Sequence, residues 1–527
     1  MPIAKSTIRD FLDRQLNSYE WIKDLKRSKL EAWLAEERIP VEFITKPFLF
    51  QLCCIAIGLE VPRFLFFLEP GMGKTKVVLD IIAHRIKRGE VHRVLVFVPS
   101  LAAIESWREQ VETHQPSLTY QGFLGSSDQK YEDLINSSAQ ICVVNYQGML
   151  ALVTSREKDK KTGKIKWRVD TKFMQRLAGV FDAIICDEIH RIANRATQTY
   201  RMVRWASKHM DVRYGLTGTP FGRDPVMLWG EFNAIDDGET LGEHVGIFKE
   251  AFFSKQDDYW GTYKHVFLQR MSPLLHEFMH NRSIAFEAEE CLDLPPKTWI
   301  PKVCTLPTST VRAYNELAEQ MLIRSAGGMQ LKLTFMKLRQ VASGFLNYKG
   351  EDDNTHVLEF RENPKLDLLE DLVAELPDKR KLVIFHQFKW SGARIGRMLE
   401  ESFRMKEGKD FGRLWSGTKD QAKVYRKFRE DPKNRVLVVA LDLGADVLNL
   451  QVASHMAFFE LPVSPIKYQQ ALKRIDRPGQ DAAKLFYFLL LAKGPVDEKI
   501  LDYLKEGQDM LNMVLRGRLT RKDLLIK

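Results

Sequence analysis

Between residues 41 and about 235 the chain repeats one pattern: a short unbroken apolar run, a polar or glycine-rich turn, then apolar residues at helical spacing. The runs are Phe64 to Leu68, Val94 to Val98, Ile141 to Val144, Ala183 to Cys186 and Val212 to Leu216. Strands buried on both faces need such runs, and their alternation with helices predicts a parallel sheet covered on both sides. The rhythm lapses from 236 to about 360, where helical patterns surround an extended stretch, Leu292-Asp293-Leu294-Pro295-Pro296-Lys297. It resumes over 361–495, with runs at Leu382 to Phe385, Val436 to Ala440, His455 to Glu460 and Leu485 to Leu491. The expected class is therefore α/β: two parallel-sheet lobes, 41–235 and 361–495, with 236–360 as a helical insertion and lobe linker. Residues 1–40 read as a helical segment whose apolar positions (Ile8, Phe11, Leu12, then Trp21, Ile22, Leu25) pack against the rest of the chain. Residues 496–527 read as a helical brace that ends in basic residues.

Composition narrows the class. A chain of 527 residues exceeds what one hydrophobic core usually supports. Lys plus Arg outnumber Asp plus Glu by 79 to 69, and the resulting charge of +10 favours anionic partners. Of the six cysteines only Cys53 and Cys54 are neighbours and none forms a CxxC pair, which argues against a disulfide framework and a cysteine zinc site. There is no apolar leader and no apolar window long enough to cross a bilayer. A soluble, non-membrane protein of a reducing compartment is expected: the cytoplasm of a bacterium or of a virus's host, or the nucleus in a eukaryote.

The chemistry gathers at strand ends. Phe64 to Leu68 runs into Glu69-Pro70-Gly71-Met72-Gly73-Lys74-Thr75, and Val77, Val78, Ile81 and Ile82 then mark the buried side of a helix that Gly89 can end. Strand, glycine turn and helix make a phosphate cradle: backbone N–H groups of Gly71, Met72 and Gly73 wrap the anion, Lys74 pairs its charge and Thr75 holds Mg²⁺. The strand Ala183-Ile184-Ile185-Cys186 ends in Asp187-Glu188-Ile189-His190. Adjacent carboxylates at a buried strand end are costly unless they serve a cation or a reaction. Asp187 is expected to hold Mg²⁺ through water, and Glu188 to orient and deprotonate the water that attacks a terminal phosphate. About four hundred residues on, Gln470-Ala471-Leu472-Lys473-Arg474-Ile475-Asp476-Arg477-Pro478-Gly479-Gln480 supplies arginines that suit the same phosphates from the other lobe.

In this order and spacing, the segments resemble helicase superfamily 2, and more closely its Swi/Snf-type branch of double-stranded DNA translocases. The resemblance implies two RecA-like lobes, ATP with Mg²⁺ as cofactors, duplex DNA as partner and a monomeric motor. It extends over residues 41 to 505. Within it Pro47-Phe48-Leu49-Phe50-Gln51 is similar to the adenine-side motif, with Gln51 as base reader, and Gln470 joins the nucleotide-binding set. Pro99 and Ser100 with Trp107, Tyr146 in Val144-Asn145-Tyr146, Ser416 and Gly417 in Trp415-Ser416-Gly417-Thr418, and Asn449 fall where the family contacts nucleic acid. Gly215-Leu216-Thr217-Gly218-Thr219-Pro220 resembles the motif that couples the ATP and DNA sites. Phe278-Met279-His280-Asn281-Arg282, Leu292 to Lys297, Lys337-Leu338-Arg339-Gln340 and Pro364-Lys365-Leu366 resemble the family's passage between lobes, and Ile384-Phe385-His386-Gln387-Phe388 its second-lobe entry strand. Arg477 takes the arginine-finger role, with Arg474 beside it.

Two departures stand out. Gly444-Ala445-Asp446-Val447 replaces a run of glycines before Asn449, and Lys473, Asp476 and Pro478 replace the usual residues between the arginines. The basic run from Arg156 to Arg168 reads as a charged hairpin around Thr162-Gly163. With no accessory-domain pattern, the expected task is displacing bound proteins or remodelling DNA structures, with a protein partner still to be identified. A strand-separating helicase and an ATP-gated DNA clamp of low turnover are the alternatives.

Overall fold

The computed structural model describes residues 5–14, 16–37, 39, 41–124, 128–158, 165–218, 225–257, 263–323, 328–349, 354–444, 448–477 and 479–505. It divides into two compact units, Met1–Leu292 and Asp293–Lys527. Strands of the first unit are β1 (Arg63–Leu68), β2 (Val94–Val98), β3 (Tyr120–Phe123), β4 (Ile141–Asn145), β5 (Thr154–Lys158), β6 (Ile165–Val169), β7 (Ala183–Asp187), β8 (Val212–Thr217), β9 (Phe253–Asp257), β10 (Tyr263–Phe267) and β11 (Ser283–Phe286). Seven of them form one sheet in the order β11-β1-β8-β7-β2-β4-β3, every neighbouring pair parallel. The other four make two antiparallel hairpins, β5 with β6 and β9 with β10. The basic run thus forms a hairpin, and its tip, 159–164, lies outside the described residues.

The second unit carries β12 (Lys297–Cys304), the hairpin β13 (Phe345–Lys349) and β14 (Thr355–Glu359), then β15 (Leu382–His386), β16 (Phe411–Leu414), β17 (Val436–Ala440), β18 (His455–Phe458) and β19 (Leu485–Ala492). Its sheet runs β12-β19-β18-β15-β17-β16, again parallel throughout. Strand alternation explains the unbroken apolar runs. Val383 and Phe385 of β15 join Leu437 and Val439 of β17 in one core, while Leu382, Ile384, Val436 and Val438 enter another on the opposite face. With both faces covered by helices, no position along these strands can be polar without cost.

The stretch 236–360 is not one helical insertion. β11 pairs with β1 as the edge of the first sheet, and β12 pairs with β19 as the edge of the second. β11 is only four residues long and follows a helix directly, so its period is too short to read. β12 contains Pro301, which is compatible with an edge strand and disguises it in sequence. The N-terminal segment folds as a helix, Lys5–Leu12, a 3-10 turn, Glu20–Asp24, and a helix, Arg27–Ala35. Phe11 packs against Phe252 and Phe278, and Ile22 is buried. At the other end a helix, Pro495–Lys505, is described, and 506–527 lie outside the described residues.

One buried ion pair fastens the second unit. Lys365, at the start of the helix Pro364–Ala374, pairs with Asp497, whose Oδ2 also accepts the Ala492 N–H at 2.9 Å. Both side chains are buried, so neither has water to fall back on. Asp497→Ala should cost about 3–5 kcal/mol in urea unfolding because it strands a buried ammonium, whereas Lys365→Met with Asp497→Leu should lose far less. Equal losses in the single and double variants would refute this account of the pair.

Candidate nucleotide site

The loop after β1 turns twice through the left-handed region, at Gly71 (φ 93°) and Gly73 (φ 76°). Gly73 caps the helix Lys74–Lys87, whose first intrahelical bond runs from Val77 N–H to the Gly73 carbonyl at 3.1 Å. The amides of that first turn give the loop a positive mouth. Gly73 is also crowded. A Cβ there would come within 2.5 Å of Gln51 Nε2, which donates to the Met72 carbonyl at 2.9 Å, while Gln51 Oε1 accepts the Phe48 N–H at 2.9 Å. Gln51 therefore braces the phosphate loop from behind, with one amide proton and one lone pair left over for a base. The Lys74 ammonium donates to the Leu68 carbonyl at 3.0 Å.

Asp187 ends β7 beside this loop. Burial raises its carboxyl above the ordinary aspartate range, and the neighbouring Glu188 adds to the rise; the indole N–H of Trp107, 3.0 Å from Oδ2, and the Lys74 ammonium pull the other way. Glu188 is held in a left-handed backbone conformation (φ 51°), a strained state for this residue type. Its Oε2 accepts Thr217 Oγ1 at 3.3 Å and lies 3.2 Å from His190 Nδ1, which is itself 3.1 Å from Thr217 Oγ1. Thr217 ends β8. The next residue, Gly218, is so close to the phosphate loop that a Cβ would meet Pro70 at 2.6 Å. The segment expected to couple two sites thus touches both the loop and Glu188, although Thr219 and Pro220 lie outside the described residues.

Two aromatic residues expected near nucleic acid are placed elsewhere. Tyr146 is buried, stacked on Phe97 with ring centroids 5.4 Å apart, and its hydroxyl donates to the Asp187 carbonyl at 3.0 Å. Trp107 is buried too and serves Asp187. Both support Asp187 instead of facing a partner, Trp107 at its carboxylate and Tyr146 at its backbone, because the residues after buried strands pack inward before the chain surfaces. Pro99 and Ser100 are half-buried, and Ser100 caps the helix Leu101–His114 by accepting the Ala103 N–H at 3.3 Å.

Glu231 was not foreseen. It lies on the helix Leu228–Asp236, which packs on β1, β8 and the turn that follows Glu188. Its carboxyl is fully buried, and neither oxygen has a hydrogen-bond partner among the described residues. Burial first, and Glu188 second, push it well above the ordinary glutamate range. Only burial marks this residue; in sequence it is one acid on an apolar helix.

In the second unit the helix Pro465–Leu472 and the turn after it carry Gln470, Arg474 and Arg477. Gln470 and Arg474 are buried, with Arg474 Nη1 donating to the Leu448 carbonyl at 3.4 Å. Arg477 Nε donates to the Lys473 carbonyl at 2.9 Å. Burial and the Arg474 charge depress the Arg477 guanidinium below its ordinary range, to about 9, which leaves it charged at neutral pH. Two of the departures find a purpose here: Asp476 is buried and pairs with Lys473 at 3.3 Å and with Lys297, the first residue of β12, at 2.9 Å. Ser416 and Gly417 are exposed in a turn closed by Thr418 Oγ1, which accepts the Trp415 N–H at 3.1 Å. The Asn449 carbonyl accepts Tyr425 OH at 2.9 Å, and Ala445 to Val447 lie outside the described residues.

A phosphate loop and an Asp–Glu strand end on one parallel-sheet unit, with a Gln–Arg–Arg segment on another, are the parts of a helicase-like ATPase. A model of the type III restriction enzyme res subunit matches residues 42–222, and one of the helicase conserved C-terminal domain matches residues 364–479. YwqA of Bacillus subtilis, whose name describes an ATP-dependent helicase/translocase, is 23% identical over 452 residues, 84% of this chain and 45% of that protein. RNA polymerase-associated protein RapA of Histophilus somni is 23% identical over 467 residues, 80% of this chain and 45% of that protein. Among solved structures, the Sulfolobus solfataricus SWI2/SNF2 ATPase core in complex with dsDNA matches at 20% identity and a TM-score of 0.39, covering 93% of this chain and 98% of that one. These likenesses support a helicase-like, ATP-hydrolysing enzyme, and the chain spans about half the length of the two named relatives.

Two outcomes follow from the geometry. Glu231→Leu should raise the unfolding free energy by about 1–3 kcal/mol, since it removes a buried carboxyl that makes no described hydrogen bond; a loss of stability would mean that the carboxyl has a partner. On the Mg²⁺ role that the sequence leads one to expect for Asp187, its raised pKa makes Mg²⁺ affinity fall at a higher pH than an ordinary aspartate allows, because a protonated carboxyl cannot hold a cation. Trp107→Phe removes a donor to the carboxylate and should move that inflection higher still. A pH titration of Mg²⁺-dependent nucleotide binding in which Trp107→Phe leaves the inflection in place would contradict this.

Proposed function

We propose that the chain hydrolyses ATP with Mg²⁺ and uses the energy to move along double-stranded DNA without separating its strands. The observation that carries this reading is the division of the chemistry: cradle and carboxylates on one unit, arginines on the other. Neither unit has a full set for phosphoryl transfer, so turnover depends on their meeting, and a cycle of meeting and parting is what stepping requires. The name of the Bacillus relative, helicase/translocase, supports the same direction.

The residues present fit a nucleotide phosphate. Gly71 and Gly73 leave the cradle free of side chains, and Lys74 and the helix N-terminus supply positive charge. Thr75 and Asp187 would hold Mg²⁺, which neutralises charge on the phosphates. Glu188 would orient a water and take its proton, and the Thr217 hydroxyl together with His190 fixes the carboxylate in place. Gln51 would read the base with its spare donor and acceptor, and Gln470 would line the nucleotide from the second unit. Arg477, with Arg474, would stabilise charge on the transferring group when the units close. Pro99, Ser100, Ser416, Gly417 and Asn449 remain the proposed contacts to the DNA backbone, whereas Tyr146 does not.

Lys74→Ala should abolish nucleotide binding, and Glu188→Gln should keep binding while cutting turnover ~10²-fold or more. Arg477→Ala should leave affinity within a few-fold and remove DNA-stimulated hydrolysis, a loss of roughly 10³–10⁵. In side-by-side assays with Glu188→Gln as control, ATP should drive release of the third strand of a triplex and leave a forked duplex paired. Efficient fork opening would favour a strand-separating helicase. ATP-dependent retention of DNA with neither product would favour a clamp.

A further inference from the structure

The first unit holds a cluster that the nucleotide chemistry does not use. His276 and His280 stand one turn apart on and just after the helix Ser272–Met279, and Glu20 comes to them from the 3-10 turn Glu20–Asp24. One donor atom from each of the three lies within 4.8 Å of the others. The hydrogen bonding of His280 is informative. Its Nδ1 is 2.7 Å from the His276 carbonyl, which can only accept, so Nδ1 carries the proton and a neutral ring presents a lone pair at Nε2. A carboxylate oxygen of Glu20 lies 3.2 Å from that Nε2. Two acceptors facing each other at hydrogen-bond distance need a cation between them. A proton or a metal ion can fill that place, and His276, whose donor atom lies within 4.8 Å of both groups, supplies the third donor that a metal ion uses. Lys23 reaches the same carboxylate at 2.9 Å without bonding the ring. His276 is exposed, and its ring lies against that of His280 with centroids 4.1 Å apart.

We infer that Glu20, His276 and His280 form a site for a transition-metal dication, with Zn²⁺ the best match. Two imidazoles at helical i, i+4 spacing, joined by one carboxylate from a distant segment, suit a borderline metal, and bond lengths of about 2.0–2.2 Å require only a modest inward shift of the side chains. Glu20 can keep Lys23 while ligating, because a carboxylate offers about four lone-pair sites. Three protein donors leave one position of a tetrahedron for water or an outside ligand. Both histidines line a cavity of about 470 Å³ whose wall includes Glu69 of the phosphate loop and Gly218. Metal here would bolt the N-terminal turn to a helix some 250 residues away in sequence, beside the loop that holds phosphate.

The test uses the full chain, stripped with chelator and titrated with ZnCl₂ in the absence of nucleotide. One Zn²⁺ should bind per chain, with a rise in the thermal unfolding midpoint. His276→Ala should abolish both; His276 is exposed, so that variant is expected to fold. His280→Gln should also abolish binding, and Glu20→Gln should weaken it at least tenfold. Co²⁺ substitution should give a d–d spectrum without a thiolate charge-transfer band, which separates this site from the cysteines. Zinc binding unchanged in His276→Ala, a thiolate band, or no stoichiometric binding by the parent chain would each overturn the assignment.

Discussion

Drawing a carboxylate even partly out of water is costly, and several elements of the first unit meet that cost at the half-buried Asp187. The compensation comes from several elements at once. Trp107 reaches it from the helix after β2, Tyr146 holds its backbone from the end of β4, Lys74 adds positive charge from the loop after β1, and Thr217 at the end of β8 fixes its neighbour Glu188. These four strands lie side by side with β7 in one parallel sheet, so their C-terminal ends share an edge. An antiparallel arrangement would send half of these groups to the opposite edge. Parallel topology, and with it the need for helices on both faces, follows from what Asp187 requires.

Much of this was legible in the sequence because the same requirement writes the apolar runs. A strand covered on both faces has no polar position, so the five runs of the first lobe stand out, and the turns after them name the site. Gly71 and Gly73 were legible because only glycine adopts their backbone at low cost and leaves room for Gln51. What the sequence concealed is set by packing. Tyr146 and Trp107 are amphipathic side chains that could face either way, and only the three-dimensional neighbourhood shows them turned toward Asp187. Glu231 is one acid among apolar residues, and the triad of Glu20, His276 and His280 joins segments too far apart for any spacing rule. Edge strands β11 and β12 were hidden for another reason: an edge needs less apolar pattern, and Pro301 breaks what there is.

The second unit shows how a departure from family pattern can be structural. Asp476 replaces a usual residue between the two arginines, and it is buried with Lys473 and Lys297 as partners. An acid so close to the arginines would weaken their pull on an anion were its charge not already matched. The lysines neutralise it, and Lys297 ties the turn to the edge strand on which the unit begins.

The left-handed backbone at Glu188 has an implication for how this chain can change over generations. Glycine or asparagine would relax that conformation, which an ordinary L-residue adopts at a cost on the order of 1 kcal/mol. Drift under selection for folding alone therefore runs downhill away from glutamate at this position. On the role proposed for Glu188, a lineage that stopped using hydrolysis would lose this glutamate early and grow sturdier as it did so, and glutamate in a descendant with this turn would be a record of recent use.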